Sequence, residues 1–502
     1  MTNFYAELDD VFHAHGGHDC LRFIDRPSWT FAALRSNVAL VADRLRQQGV
    51  TPGDRVVVQV DKSPENLALY LATLCIGGVY VPLNTAYTSV ELDYFVADAK
   101  PALFVGSRAR DDVPSLTLAA DGSGTLFDSI SVDPSVEVAT APVVVERQPH
   151  DLAAIVYTSG TTGRSKGAML SHSNLSNNAH SLCAAWDWQS TDVLLHALPI
   201  FHVHGLFIAN HCALLRGTPM YWLPKFDVVS VQAVMGDCSI MMGVPTFYTR
   251  LLGDASFPAI NLDHMRAFIC GSAPLTEQVF LQWQARTGHR ILERYGMSET
   301  IINTTNPIDG ERVPATVGFP LPGLDLRIAN DAGEALENGE VGAIEVRGPS
   351  VFGGYWQMPE KTAEEIRSNG FFITGDLGTL DDEGRLSIVG RAKDLVISGG
   401  YNVYPKEIEK ILDGLPGVLE SAVIGVPHAD FGEAVVAVIV PQNSPPNGPE
   451  LTLADVSAYL EGKLAKFKQP KALVHVDTLP RNTMGKVQKN LLRDAYETLL
   501  TH

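Results

Sequence analysis

Residues 152–167, Leu-Ala-Ala-Ile-Val-Tyr-Thr-Ser-Gly-Thr-Thr-Gly-Arg-Ser-Lys-Gly, limit what this chain can become more than any other stretch. Leu152–Val156 is short and apolar and reads as a buried strand. Tyr157–Gly167 is rich in Gly, Thr and Ser. Beyond it, Ser171 or Asn174 is suited to open a helix. A strand, a glycine-rich loop and a helix is the layout of a phosphate cradle. Glycines let the backbone approach an anion, and N–H and hydroxyl groups donate to its oxygens. Lys166 adds a mobile positive charge. The loop is not a Walker A motif, because Ser165 precedes the lysine and Gly167 follows it. The plain alternative is a flexible surface loop.

A chain of 502 residues is too long for one ordinary core, so two or more domains are expected. No apolar run reaches membrane-spanning length. Met1–Asp10 is acidic and lacks the basic start and apolar centre of a signal peptide, so a cytoplasmic location is the expectation. The six cysteines (20, 75, 183, 212, 238 and 270) form no CxxC pair and read as small core residues. A net charge of −19 argues against nonspecific nucleic-acid or membrane binding. Any anionic ligand must then be attracted by local cations and loop dipoles.

The chain's first 150 residues alternate strands and helices. A helical pattern runs from Trp29 toward Leu45, Asp54–Val60 reads as a strand, and Ser63-Pro-Glu offers an N-cap with proline at the first helical position. Val79–Leu83 reads as another strand. This βαβ rhythm predicts an α/β fold, a largely parallel sheet covered by helices. Further on, Ala197–Gly205 holds His202 and His204, which would share a face if that segment is extended. No Cys or acid is spaced to complete a metal site, so packing or substrate contact is expected. Arg250 sits among apolar residues. It either snorkels to water or, if buried, needs an anionic partner. Gly271-Ser-Ala-Pro-Leu and Glu293–Thr300 follow short apolar runs, which would place them at one sheet edge, where α/β proteins bind ligands. From Val341 the texture suggests a small β-rich subdomain, and the last hundred residues suggest a compact α+β module. The boundary is expected near Lys393, giving an N-terminal domain over 1–391, a hinge at 392–394 and a C-terminal domain over 395–502.

The strings at 157–167, 293–300, 372–378, 390–405 and 480–486 (Pro-Arg-Asn-Thr-Met-Gly-Lys) occur in the order found in the adenylate-forming superfamily of acyl-CoA synthetases, peptide-synthetase adenylation domains and luciferases. The resemblance covers essentially the whole chain. It implies a large N-terminal domain of layered sheets and helices and a small mobile C-terminal domain. It implies ATP, Mg2+ and coenzyme A as cofactor and substrates. The loop residues Thr158, Ser159, Gly160, Thr161, Thr162, Gly163 and Lys166 would hold the β- and γ-phosphates. Glu299 would bind Mg2+, and Thr300 would contact the α-phosphate. Tyr295 would stack on adenine, with Ser272, Ala273 and Pro274 as the other wall and Glu293, Arg294, Gly296 and Met297 in the same nucleotide site. Asp376, assisted by Arg391, would hold the ribose. Lys486 would bridge the substrate carboxylate and the α-phosphate. Lys393 matches the hinge about which relatives rotate, and Gly399, Gly400 and Tyr401 would line the coenzyme A tunnel. Ser165 departs from the proline of many relatives, a change that removes no charge.

Within the superfamily the sequence is most similar to the malonyl-CoA synthetases. That likeness assigns His204, Arg250 and Ser272 to the distal carboxylate of malonate or methylmalonate. A short dicarboxylate would supply the partner that a buried arginine requires. Three other readings stay open at this stage: a ligase for a short fatty or aryl acid, an enzyme loading a carrier-protein thiol, and a non-catalytic nucleotide-binding protein. The resemblance also implies a protein acetyltransferase and deacetylase acting on Lys486, since acetylation removes its charge.

Overall fold

The computed structural model describes residues 3–128, 141–158, 165–258, 260–428, 430–442, 451–482 and 485–500. Three sheets build the large N-terminal part and one builds the C-terminal part. The first is six-stranded, with Ser115–Thr117, Leu103–Gly106, Arg55–Gln59, Val79–Pro82 and Leu152–Thr158 in parallel. Its last strand, Lys166–Ser171, is antiparallel to Leu152–Thr158. The second is nine-stranded, and its parallel centre runs Leu292–Tyr295, Ala267–Cys270, Ile240–Gly243, Leu194–His196, Met220–Trp222, Asp19–Arg22. A four-stranded antiparallel sheet, Asp325–Ala329 to Leu386–Arg391, follows. The C-terminal sheet is built on the long hairpin of Val418–His428 with Gly432–Pro441.

Local signals account for most of the elements. Ser63 caps Pro64–Cys75 by accepting from the N–H of Asn66, with proline at the first position as expected. Ser171 and Asn174 share a reciprocal capping box at the start of His172–Ala185. Asp54–Val60 yields the strand Arg55–Gln59, whose three valines are buried. The helix expected from Trp29 begins at Phe31, because Thr30 is its cap and Trp29–Thr30 pair as a short strand.

One expectation is corrected. The loop at 157–167 does not lead directly into a helix. It closes a β-hairpin, since Lys166–Ser171 pairs back onto Leu152–Thr158 before the helix starts. The helix therefore starts a whole strand beyond Lys166. The residue pattern fits this: Ala168 and Leu170 are buried against the apolar strand beside them, while Met169 between them is only half-buried.

Buried apolar clusters fall into two groups along the chain. Those of the large part draw on residues from Phe4 to Leu386. Those of the C-terminal part begin at Val396 and end at Leu492. Within the large part, Trp283 is fully buried and packs edge-on against Tyr248 and Phe268 and beside Phe257, with ring centroids 4.9–5.2 Å apart. It thereby supports the helix Pro245–Gly253. Trp283→Ala is expected to cost about 3–5 kcal/mol, read as a lower thermal midpoint. A change too small to measure would show that the aromatic cluster closes over the gap.

Candidate active site

The site forms where the ends of the parallel strands meet the antiparallel sheet. Strand Leu292–Tyr295 sends Tyr295 and Arg294 to opposite faces. Tyr295 donates its phenol to Asp376 Oδ2 at 2.6 Å, and Arg391 Nε holds Asp376 Oδ1 at 2.8 Å. Asp376 and Arg391 face each other in the antiparallel pairing, which fixes their contact. Gly296 is required where it stands: a Cβ there would lie 1.9 Å from the carbonyl of Ile301. The turn closes by N–H donation from Thr300 and Ile301 to the carbonyl of Met297. Glu293 lies buried on the Tyr295 side, with burial raising its carboxyl to about 8 against the pull of Lys406.

Glu299 is buried, and burial raises its carboxyl. Tyr355 stands between two carboxylates, 3.0 Å from Glu299 Oε1 and 2.7 Å from Glu365 Oε2, with one phenol proton to give. Lys166 Nζ is 2.9 Å from Glu365 Oε1 and 4.1 Å above the Tyr355 ring. Neither Tyr355 nor Glu365 was found from the sequence. Glu365 reads there as an ordinary helix acid four residues after Lys361, and only the fold brings it to the foot of the loop. The hydroxyl of Thr300 is buried without a partner among the described residues. Ser159, Gly160, Thr161, Thr162 and Gly163 lie outside the described residues. Their flanks are firm: Thr158 Oγ1 donates to the carbonyl of Lys166, and Tyr94 donates to that of Ser165.

On the Arg294 side the geometry is different. Ser272, at φ +72°, sits 3.2 Å from His204 Nδ1 through its hydroxyl. With the hydroxyl donating, His204 carries its proton on Nε2, and that atom is buried without a partner among the described residues. Arg294 is buried against Gly271, where a Cβ would come within 2.5 Å of the guanidinium. Its Nε and Nη2 also lack partners among the described residues. Burial lowers Arg294 to about 10 and holds His204 neutral, with the Arg294 charge adding to the effect on His204.

Two expectations change here. The segment holding His202 and His204 is not extended, because His204–Ala209 is a π-helix. The histidines instead touch through the backbone, the N–H of His204 donating to His202 Nδ1 at 3.2 Å. Arg250 is not the buried arginine. It is exposed in the last turn of Pro245–Gly253, the snorkelling outcome, and the guanidinium sealed from water is Arg294. The sequence signal for Arg294 was weak, since an Arg within Glu-Arg-Tyr-Gly reads as part of a nucleotide loop.

Lys486 reaches this cleft from the C-terminal part. Burial, with Arg391 and Lys393 nearby, lowers it to about 8, while Asp376 and Asp394 pull the other way. Its charge is also felt at His202. Gly485, just before it, packs 3.3 Å (as a Cβ) from Thr246, and Lys410 pairs with Glu277 at 3.3 Å across the same divide. Ala273 is half-buried and Pro274 exposed beyond Ser272, at the end of strand Ala267–Cys270. Lys393 is exposed in the short turn Ala392–Asp394. Gly399, Gly400 and Tyr401 turn an exposed hairpin. Their contacts are with Phe431 and Phe467 of the C-terminal part.

Comparison with known proteins decides the family. The model for AMP-binding enzymes matches residues 8–356, and that for the AMP-binding enzyme C-terminal domain matches residues 407–486. The chain belongs to the AMP-binding, adenylate-forming enzymes. It is 36% identical over 491 residues to a malonate–CoA ligase of Arabidopsis thaliana, covering 89% of this chain and 79% of the relative. ATP-bound MatB from Rhodopseudomonas palustris superposes with a TM-score of 0.93 at 49% identity over 99% of both chains. Apo MatB from the same organism, 50% identical over 99% of both chains, gives 0.83. The arrangement of this AMP-binding enzyme is therefore nearer the nucleotide-bound relative. Among the described residues no helix is long and apolar enough to cross a membrane.

Proposed function

We propose that this enzyme joins malonate to coenzyme A at the expense of ATP, through a malonyl-adenylate, releasing pyrophosphate and then AMP. The observation that carries the choice of acid is Arg294. A buried guanidinium with unpaired donors costs several kcal/mol, and the donors left open beside it, on His204 Nε2, fit one carboxylate. The likeness to the Arabidopsis malonate–CoA ligase supports the same acid. The second carboxylate of malonate is then the nucleophile. One of its oxygens attacks the α-phosphorus, the bond to the β-phosphate oxygen breaks, and pyrophosphate leaves. The thiol of coenzyme A attacks the resulting carbonyl carbon and AMP departs with the electron pair.

The remaining roles follow from position. Tyr295 offers its ring to adenine while its phenol braces Asp376 for the ribose hydroxyls. Lys166 and the loop from Thr158 hold the terminal phosphates. Glu299 fits Mg2+, which binds through one or two carboxylates together with substrate phosphates, and the open hydroxyl of Thr300 fits the α-phosphate. When bound, the ion would neutralise charge on the phosphates. Lys486 neutralises the meeting of carboxylate and α-phosphate. Residues 392–394 serve as the hinge that withdraws Lys486 and brings Gly399–Tyr401 to the site for the thiol. Arg250, exposed and screened by water, contributes less to holding the acid than Arg294.

Pyrophosphate release measured on a panel of acids, with and without coenzyme A, tests the substrate. Malonate is expected to lead over acetate and butyrate. Arg294→Met is expected to lower kcat/KM for malonate by about two orders of magnitude or more, from the roughly 3–5 kcal/mol cost of breaking a buried charge pair. Butyrate use should not fall in parallel, and Arg250→Ala should lose less. Equal losses on both acids for Arg294→Met would make the residue structural.

Lys486 must be charged to act, so pyrophosphate release in kcat/KM should hold below its folded value and decline as pH rises through about 8. Acetylated Lys486, produced by an acetyltransferase and verified by mass spectrometry, should match Lys486→Gln and release little pyrophosphate. Full activity of either form would remove the lysine from the reaction. Lys393→Pro stiffens the turn and is expected to spare adenylate formation while slowing thioester formation. A matched loss of both half-reactions counts against the hinge.

A further inference from the structure

Outside the site, Lys62 stands in unusual company. It follows strand Arg55–Gln59, and its ammonium turns inward. Nζ lies 2.8 Å from His196 Nδ1, 2.8 Å from the carbonyl of His196 and 4.3 Å over the Trp222 ring. No carboxylate pairs with it among the described residues. His196, fully buried at the end of strand Leu194–His196, places Nε2 2.9 Å from the carbonyl of Gly205. Only an N–H can satisfy that carbonyl, so Nε2 carries the proton and Nδ1 accepts from Lys62. Lys62 thus selects the tautomer and the ring orientation of His196.

Gly205 is the second residue of the π-helix that begins at His204. It sits so close to Pro199 that a Cβ would lie 2.1 Å from that carbonyl. π-Helical turns are costly and recur at functional sites, where something else must hold them. Here the hold on Gly205 is His196, and the hold on His196 is Lys62. The next residue back is the histidine whose Nε2 opens toward the acid.

We propose that Lys62, acting through His196 and the carbonyl of Gly205, is a positioning and specificity residue for the dicarboxylate. It locks His204 in place through the contacts at His196 and Gly205. This inference rests on the proposed malonate reading.

The chain of contacts makes a specific demand on variants. Lys62→Met keeps the length and packing of the side chain and removes the donor. His196→Gln keeps an amide donor toward Gly205 and takes the acceptor away from the Nδ1 position that Lys62 meets. Lys62→Met is expected to raise KM for malonate at least tenfold, with KM for ATP within twofold and butyrate kcat/KM within twofold. His196→Gln is expected to shift malonate KM in the same direction. If the two residues form one relay, the double variant should cost no more than the larger single loss. The thermal midpoint of each protein is read alongside. Should Lys62→Met not fold, Lys62→Gln keeps a donor and is expected to give a smaller rise in malonate KM. Equal losses on malonate and butyrate, an unchanged malonate KM, or strict additivity of the two changes would overturn the proposal. The parent enzyme separates this failure from the larger one. A parent that does not use malonate refutes the substrate, whereas a malonate-using parent with an indifferent Lys62→Met refutes only the relay.

Discussion

A guanidinium sealed from water with its donors open is the constraint on which the acid side of this site depends. Arg294 is fixed by its strand and pressed against Gly271, so it cannot swing out to solvent. In the proposed reading, the cost of that burial is relieved when an anion arrives. The surrounding pieces make sense as consequences. Ser272 is held at positive φ and engages His204 Nδ1, which frees Nε2 to donate. His204 is kept neutral, so it can donate a hydrogen bond without adding a second buried charge beside Arg294.

The nucleotide side follows the opposite rule. Lys166 is paired with Glu365, and Arg391 is paired with Asp376. These cations are already compensated, and their partners carry hydrogen-bonding capacity of their own. Tyr355 and Tyr295 each donate into those carboxylates. The arrangement is preorganised before ATP binds, so little reorganisation is needed when phosphates and ribose enter.

Much of this was legible in the sequence because it is local. Caps at Ser63 and Ser171, the valine-rich strand after Arg55 and the long C-terminal hairpin all follow from short-range patterning. The family motifs supply candidates for the nucleotide side and Lys486, since such motifs depend on residue type at fixed spacing. What escaped was decided by pairing across the chain. Whether Gly167–Ser171 forms a strand depends on Leu152–Thr158 accepting it as a partner, which no window around the loop reveals. Arg250 and Arg294 both sit among apolar neighbours in sequence. Only the strand's alternation against Gly271 buries one, while a position in the last turn of a helix exposes the other. Glu365 and Lys62 meet their partners 199 and 134 residues away, so nothing in their own neighbourhoods marks them.

The division between compensated and uncompensated cations also resolves a difficulty raised by the composition. A chain carrying −19 must take up a triphosphate and a dicarboxylate, both anions. Overall field cannot draw them in, and at physiological salt it is screened beyond about 8 Å. Inside the cleft, though, the balance is local. On the proposed nucleotide side, Lys166 and Arg391 each have a carboxylate beside them, and Mg2+ brought with the phosphates would meet the remaining charge. On the proposed acid side, Arg294 and Lys486 face the cleft with no carboxylate hydrogen-bonded to them among the described residues. A monocarboxylate spends its single charge in reaction with phosphorus and leaves Arg294 unpaired in a dry site. A dicarboxylate pairs with it and keeps a second carboxylate for the chemistry. Selectivity for the acid then comes from a penalty that the wrong substrate fails to relieve, more than from any extra attraction to the right one.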